Sequence, residues 1–129
     1  MYDPVANEIY DESGSCISIA MVVDRVVYVA NVGDSRVLFS ASKGNDLFQL
    51  TKDHTLSDEY EETRMRVSKS PPLKRVPQLK KNDLRVTRCL GHVRSKLRHL
   101  EGNHHAILAE PDILSFNLED DHDFLVLAS

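Results

Sequence analysis

Between residues 15 and 51, runs of small or β-branched residues alternate with short polar breaks. Four such runs predict β-strands, at residues 15–23, 26–32, 35–40 and 47–51. On the first, the apolar side chains that share one face are Ile17, Ile19, Met21 and Val23. The second run has few polar residues, which is typical of a strand covered on both sides. Gly33-Asp34 is a turn dipeptide between the second and third runs, so we expect a tight hairpin there and an antiparallel meander overall.

A change from acidic to basic residues predicts one helix after residue 57. Ser57 is a suitable N-cap, and acidic side chains fill the first turns, where the helix dipole favours anions. Glu62 and Arg66 are spaced as an i,i+4 ion pair. The helix must end before Pro71-Pro72, since proline cannot continue it.

The remaining segments are assigned from weaker patterns. Residues 1–12 predict an N-terminal loop, and residues 68–83 predict an extended surface loop. A short strand or helix is expected around residues 86–90, and strand-type runs lie at residues 106–109 and 123–128. The last run has the sequence of a buried strand at the end of the chain, so we expect residues 13–129 to be part of a larger domain.

Composition narrows the class of protein. The chain has 129 residues, of which 41% are hydrophobic and 28% charged, as in ordinary globular domains. No apolar run is long enough to span a bilayer, and the first residues lack the features of a secretory signal. The two cysteines, Cys16 and Cys89, lack metal-ligand spacing and do not suggest a disulfide framework. We therefore expect an intracellular protein, cytoplasmic or nuclear, that does not bind membranes.

Positive charge is concentrated in one segment. Residues 64–98 hold twelve of the sixteen Lys and Arg residues and one of the twenty acidic residues, Asp83. This asymmetry indicates that the segment faces an anionic group, either in a partner or within the protein. Nucleic-acid binding is disfavoured, because no aromatic residues are interleaved with the basic ones and no known module is present. An ordinary solvated loop fits the same pattern.

Residues 31–36, Asn-Val-Gly-Asp-Ser-Arg, are the best candidate for chemistry. Gly33 allows the positive φ of a tight turn, and Asp34 places a carboxylate beside two buried strands. A rigidly held carboxylate suits coordination of a hard divalent cation. On spacing alone, an ordinary turn in which Asp34 caps backbone amides is the favoured explanation, because Gly-Asp turns are common. The histidine cluster His99, His104 and His105 lacks ligand spacing and is expected on the surface.

Five motifs in order resemble the type-2C metal-dependent serine/threonine protein phosphatases (the PPM family). The first is residues 27–36, with Val-Tyr-Val-Ala-Asn-Val before Gly33-Asp34-Ser35-Arg36. The second is Gln-Leu-Thr-Lys-Asp-His at 49–54, and the third is Leu-Arg-Val-Thr-Arg-Cys-Leu-Gly at 84–91. The last two are Ala-Glu-Pro-Asp-Ile at 109–113 and Asp-Phe-Leu-Val-Leu-Ala-Ser at 123–129.

The resemblance implies an α+β fold, in which antiparallel sheets form a β-sandwich flanked by helices. It implies Mg²⁺ or Mn²⁺ as cofactors and phosphoproteins as substrates, with a metal-activated water attacking phosphoserine or phosphothreonine. Asp34 matches an aspartate that the family associates with an additional, weaker metal position. The basic segment 64–98 lies where the family carries a variable flap beside its active site.

Departures from the family pattern limit what this chain can do. An upstream Asp-Gly-His-Gly-Gly motif, an aspartate directly after the Leu-Ala-Ser strand and a later Asp-Asn motif supply the family's principal metal ligands, and none occurs here. His92 replaces the aspartate that commonly follows Leu-Gly. We therefore assign no catalytic residue and expect the chain alone to be inactive. The alternative is an inactive pseudophosphatase that acts as a binding module, and the sequence indicates no oligomeric state.

Overall fold

The computed structural model describes residues 2–3, 8–68, 84–100 and 102–129. Its strands are β1 (Tyr2–Asp3), β2 (Glu8–Ile9), β3 (Gly14–Ser15), β4 (Ile17–Val23), β5 (Val26–Val32), β6 (Arg36–Ala41), β7 (Asp46–Gln49), β8 (Leu90–Gly91), β9 (Asp112–Asn117) and β10 (His122–Ala128). The helices are α1 (Glu59–Val67) and α2 (Val93–Lys96), with 3-10 turns at Ser42–Gly44 and Arg98–Leu100. Within this described part, no helix is both long and apolar enough to cross a membrane.

Two three-stranded antiparallel sheets pack face to face. One has the order β4-β5-β9 and the other β10-β6-β7. Val27 and Val29 of β5 and Val37 of β6 are almost fully buried between them. Phe116 of β9 meets Phe39 of β6 edge to face, with ring centroids 5.1 Å apart. The predicted α+β fold with an antiparallel sandwich is therefore confirmed.

The predicted hairpin at Gly33-Asp34 is wrong. β5 and β6 lie in different sheets, so this segment crosses from one layer of the sandwich to the other. The physical reason is that β5 already pairs with β4 and β9, whereas β6 pairs with β10 and β7. Each strand has both edges filled, and neither can pair with the other. The meander is thus split between two sheets.

The structure also differs from the sequence-based prediction in the orientation of one strand and in the positions of two others. The apolar face of β4 points outward, with Ile19 50% and Met21 54% exposed, while Ala20 packs on the sandwich core. Residues 106–109 form a turn with one isolated bridge rather than a strand. β9 was not predicted, although Leu114, Phe116 and Leu118 alternate with outward-facing residues there. β10 confirms the strand predicted at residues 123–128. The expectation that this strand is buried is wrong, because Phe124, Val126 and Leu127 are exposed.

Helix α1 begins one residue later than predicted. Asp58, not Ser57, is the N-cap, because its Oδ1 accepts a hydrogen bond of 3.1 Å from the Glu61 amide. The Glu62–Arg66 pair is confirmed at 3.4 Å. Met65 is the buried apolar anchor of the helix. It packs into a second core cluster that also contains Val86, Cys89, Ala106 and Ile107.

Short ladders organise the rest of the described chain. β1 pairs antiparallel with β2 within residues 1–12, where a loop was expected, and Tyr2 lies opposite Ile9. β3 pairs with β8, so the strand or helix expected around residues 86–90 is a two-residue strand followed by α2. Most of the predicted loop 68–83 lies outside the described residues.

Substituting Gly33 with alanine tests the sheet crossing. Gly33 has φ +104°, and a Cβ there would come within 2.6 Å of Cys16 Cβ. Positive φ costs a non-glycine residue about 1–2 kcal/mol, and overpacking typically adds about 1–3 kcal/mol. We expect Gly33→Ala to lower the free energy of unfolding, measured with urea, by more than the cost of the positive φ alone.

Gly44 is the matched control, because it also has positive φ (+83°) but has open space where its Cβ would be. Gly44→Ala should cost only the φ term. Equal losses for the two variants would show that the packing at Gly33 is not tight.

Candidate functional site

Asp34 lies on the segment that crosses between the sheets. Its side chain is exposed, and its Oδ1 accepts a hydrogen bond of 3.3 Å from the thiol of Cys16. Gly33 before it and Ser35 after it are buried. The carboxylate therefore projects from a backbone that is fixed on both sides.

His54 holds the backbone of this crossing. The Gly33 N–H donates to His54 Nδ1 at 3.0 Å, and the His54 N–H donates to the Gly33 carbonyl at 3.0 Å. Asn31 Nδ2 donates to the same carbonyl at 3.2 Å. His54 is only 1% exposed. Because Nδ1 is an acceptor, the hydrogen-bond network assigns the ring proton to Nε2.

Asp112 at the start of β9 connects His54 to Arg88. His54 Nε2 lies 3.2 Å from Asp112 Oδ2, without the alignment of a full hydrogen bond. Arg88 Nη1 donates to Asp112 Oδ1 at 2.7 Å. Burial opposes ionisation of Asp112, but the contact with His54 and the charge of Arg88 outweigh it and lower the pKa of this carboxyl. Asp112 is thus an ionised bridge.

Glu61 of α1 is the buried anion at the other end of the network. Arg88 donates to Glu61 Oε1 through Nε at 3.0 Å and Nη2 at 2.7 Å, and Arg64 Nη2 donates to Oε2 at 2.6 Å. The Thr87 hydroxyl donates to Oε2 as well. Burial alone would raise the pKa of Glu61, but these hydrogen bonds lower it to about 2. Glu61 therefore stays charged although it is 1% exposed.

A second ion pair lies close to the crossing. Arg36, the first residue of β6, binds Asp53 in a bidentate manner, with Nε–Oδ1 at 2.9 Å and Nη2–Oδ2 at 2.6 Å. The hydrogen bonds from Arg36 lower the pKa of Asp53. This geometry commits the Asp53 carboxylate to a guanidinium rather than to a metal.

The described residues do not complete a metal site at Asp34. Divalent Mg²⁺ is usually held by one or two carboxylates with further oxygen ligands. Asp34 supplies one, and the group of potential ligands found among the described residues is Glu119, Asp121 and His122. That group lies at the other end of the sandwich, since His122 is opposite Ala41, whereas Asp34 precedes the Arg36 end of β6. Among the described residues, Asp34 is thus not part of a group of three or more potential metal ligands.

Strand β10 ends at the edge where Asp34 lies. Its register places Ala128 opposite Arg36, and the partners run in opposite directions along the two strands. Ser129 consequently comes next to the sheet crossing.

A family model described as Protein phosphatase 2C matches residues 2–129. The chain belongs to this family. Among its curated relatives, Probable protein phosphatase 2C 21 of Arabidopsis thaliana is 32% identical over 117 residues, which cover 90% of the chain and 32% of that protein. Protein phosphatase 1G of Rattus norvegicus is 31% identical over 118 residues, covering 91% and 21%. The chain thus spans about a third or less of the length of these relatives.

Solved structures agree with the family at the level of the fold. A Caenorhabditis elegans sex determining protein superposes with a TM-score of 0.73 at 22% identity, over 90% of this chain and 27% of that one. The serine-threonine phosphatase 2C from Toxoplasma gondii gives 0.71 at 17% identity, over 88% and 40%. The phosphatase 2C sandwich is therefore present in this chain.

Within the described residues, part of the positive charge of the basic segment 64–98 faces an anion inside the protein. Arg64 and Arg88 contact the buried carboxylate of Glu61, so these two cations face an anion within the protein. The surface positions predicted for His99, His104 and His105 are confirmed. Residues 69–83 lie outside the described part.

Sequence reasoning located Asp34 but missed the network behind it. The sequence marks His54, Arg88 and Asp112 only as members of motifs. It marks Glu61 only as one of the acidic residues in the first turns of the helix. A usable signal was present at Arg88, a cation within the run Val86-Thr87-Arg88-Cys89-Leu90. An arginine that must be buried requires a buried acid.

Acid should weaken the fold through Glu61. A carboxyl whose folded pKa is lowered contributes stability above its ordinary pKa of 4.5, and this stability is lost as the pH falls towards about 2. The shift corresponds to roughly 3 kcal/mol. We expect the urea concentration at the unfolding midpoint to decrease as the pH is lowered from about 6 to about 3. The decrease should be smaller in Glu61→Gln.

Glu59→Gln provides the control, because Glu59 is an exposed carboxylate in the same helical turn. It should keep the wild-type pH dependence. If Glu61→Gln loses as much stability in acid as the wild type does, the buried carboxylate is not ionised.

Proposed function

We propose that this chain is part of a metal-dependent protein serine/threonine phosphatase that hydrolyses phosphoserine and phosphothreonine in proteins. The observation that carries the proposal is the family match over residues 2–129. The charged network around the sheet crossing supports it, because it fixes the segment that bears Asp34. The limited coverage of the relatives supports a place within a longer protein.

Asp34 is proposed as an accessory metal ligand. Its support is an exposed carboxylate on a crossing whose backbone is bound by His54 and Asn31. The end of β10 adds to this, because in a longer chain the residue after Ser129 would lie near Asp34. The family pattern places an aspartate directly after the Leu-Ala-Ser strand, and the two carboxylates would then share one edge.

When bound, Mg²⁺ or Mn²⁺ would supply a hydroxide nucleophile and neutralise phosphoryl charge. The residues of this chain have supporting roles. Asp34 offers one oxygen ligand, and His54 orients the Gly33–Asp34 backbone through two hydrogen bonds. Arg88 keeps Asp112 beside His54. None of these residues is proposed as the nucleophile or the general acid.

A second candidate function is an inactive phosphatase domain that binds partners. The observation in its favour is His92, which stands where the family commonly has aspartate. It adopts a left-handed conformation with φ 51° at the start of α2, and its ring packs against Gly14. In the leading proposal, the basic segment 64–98 is a flap beside the active site. Any acidic partner of this segment would meet cations other than Arg64 and Arg88, because these two bind Glu61.

The coding sequence on both sides of this reading frame provides the first test. We expect it to encode aspartate-rich phosphatase motifs, and the longer protein to hydrolyse a phosphopeptide in the presence of Mn²⁺. The 129-residue chain should show no turnover in the same assay. A longer protein that has the aspartates but shows no turnover would favour the inactive binding module.

Substitution of Asp34 in the longer protein tests its metal role. Asp34→Asn removes a charged ligand, so we expect the Mn²⁺ concentration for half-maximal rate to rise on the order of tenfold. Asp46→Asn is the control, because Asp46 is an exposed aspartate opposite Ala41, at the other end of β6. An unchanged Mn²⁺ requirement in Asp34→Asn would exclude Asp34 as a ligand.

A further inference from the structure

The ladder between β3 and β8 ends directly before Cys16 on one strand and directly after Cys89 on the other. Gly14 lies opposite Gly91, and Ser15 lies opposite Leu90. The same antiparallel register, carried one residue further, places Cys16 opposite Cys89. The sequence separates these residues by more than half of the chain, so the pairing is visible only in the fold.

The register also gives the type of pair. The His92 N–H donates to the Ser13 carbonyl at 2.9 Å, and this bond flanks the pair Gly14–Gly91 as at a non-hydrogen-bonded position. Pair types alternate along an antiparallel ladder, so Cys16 and Cys89 fall at a non-hydrogen-bonded position. Cα atoms at such positions are about 4.5 Å apart. This spacing lies within the range of roughly 4.4–6.8 Å found across disulfides.

Two further observations place the thiols near each other. Cys89 is a member of the core cluster beneath α1, and Cys16 packs against the same cluster. Burial raises the pKa of the Cys89 thiol, Lys96 offsets part of this rise, and the nearby Cys16 adds to it. Both cysteines are free in the structure.

We propose that Cys16 and Cys89 form a reversible cross-strand disulfide when the protein is exposed to a peroxide. Cys16 is only partly buried, whereas Cys89 is 2% exposed, so the oxidant reaches Cys16 first. The Cys16 sulfur attacks one peroxide oxygen and the O–O bond breaks, giving a sulfenic acid and one water. The Cys89 sulfur then attacks the Cys16 sulfur, the S–O bond breaks, and a second water leaves with the Cys89 proton.

The balance is a two-electron oxidation of two thiols and reduction of one peroxide to two waters. Such disulfides in reducing compartments are usually transient and redox-sensing. The bond would also change the environment of Asp34. The thiol hydrogen that Cys16 donates to Asp34 Oδ1 is lost on oxidation, so the carboxylate loses this donor.

The test uses the folded 129-residue chain treated with hydrogen peroxide. We expect both thiols to disappear, the mass to fall by two hydrogens, and the chain to remain monomeric on a non-reducing gel. Peptide mapping should find the Cys16–Cys89 link, and dithiothreitol should restore both thiols. Because the bond fits the native register, the urea midpoint should be higher in the oxidised chain than in the reduced one.

Cys16→Ser is the control, since it removes the bond and leaves the buried Cys89 in place. Peroxide should not raise its urea midpoint. The proposal is overturned if both thiols survive a treatment that oxidises a thiol peptide, or if the products are disulfide-linked dimers. Added oxygen on Cys16 without a link, or a lower midpoint after oxidation, would overturn it as well.

Discussion

The buried pair between Glu61 and Arg88 is the constraint on which the rest of the structure depends. Burying a charge without a partner is costly, and removing one partner of such a pair typically destabilises a protein by about 3–5 kcal/mol. Here Arg88 donates hydrogen bonds to two carboxylates, Glu61 in α1 and Asp112 in β9. The guanidinium therefore fixes the helix, the segment before β8 and one sheet relative to one another.

This arrangement explains why an ionic network occupies a position that apolar residues could fill. Hydrophobic packing is not directional, so it would cover α1 without orienting Asp112. The fork of Arg88 instead sets the Asp112 carboxylate beside His54, whose ring and backbone both bind Gly33. Within the described part of the chain, the crossing between sheets pairs with no strand, and these contacts hold its backbone instead. The position of Asp34 thus depends on His54, Asp112 and Arg88.

The sequence predicts what depends on local pattern and misses what depends on distant pairing. The apolar runs at residues 26–32 and 123–128 predict β5 and β10, and the five motifs predict the family and the sandwich. The hairpin at Gly33-Asp34 fails because a turn dipeptide does not reveal that both strands already have partners. Glu61 illustrates the same limit. As a first-turn anion it is indistinguishable from Glu59, and only its distant partner Arg88 makes it a buried one.

Amide hydrogen exchange at Gly33 in the Arg88→Lys variant is the most direct test of this network. Lysine keeps the charge but cannot bind Glu61 and Asp112 together. We expect the Gly33 amide to exchange at least about tenfold faster in this variant, while the Val29 amide, in the central strand β5, stays protected. Arg94→Lys, at an exposed pair with Glu12, should leave both amides unchanged. If Gly33 keeps its protection in Arg88→Lys, or loses only as much as Val29, the network does not hold the crossing that carries Asp34.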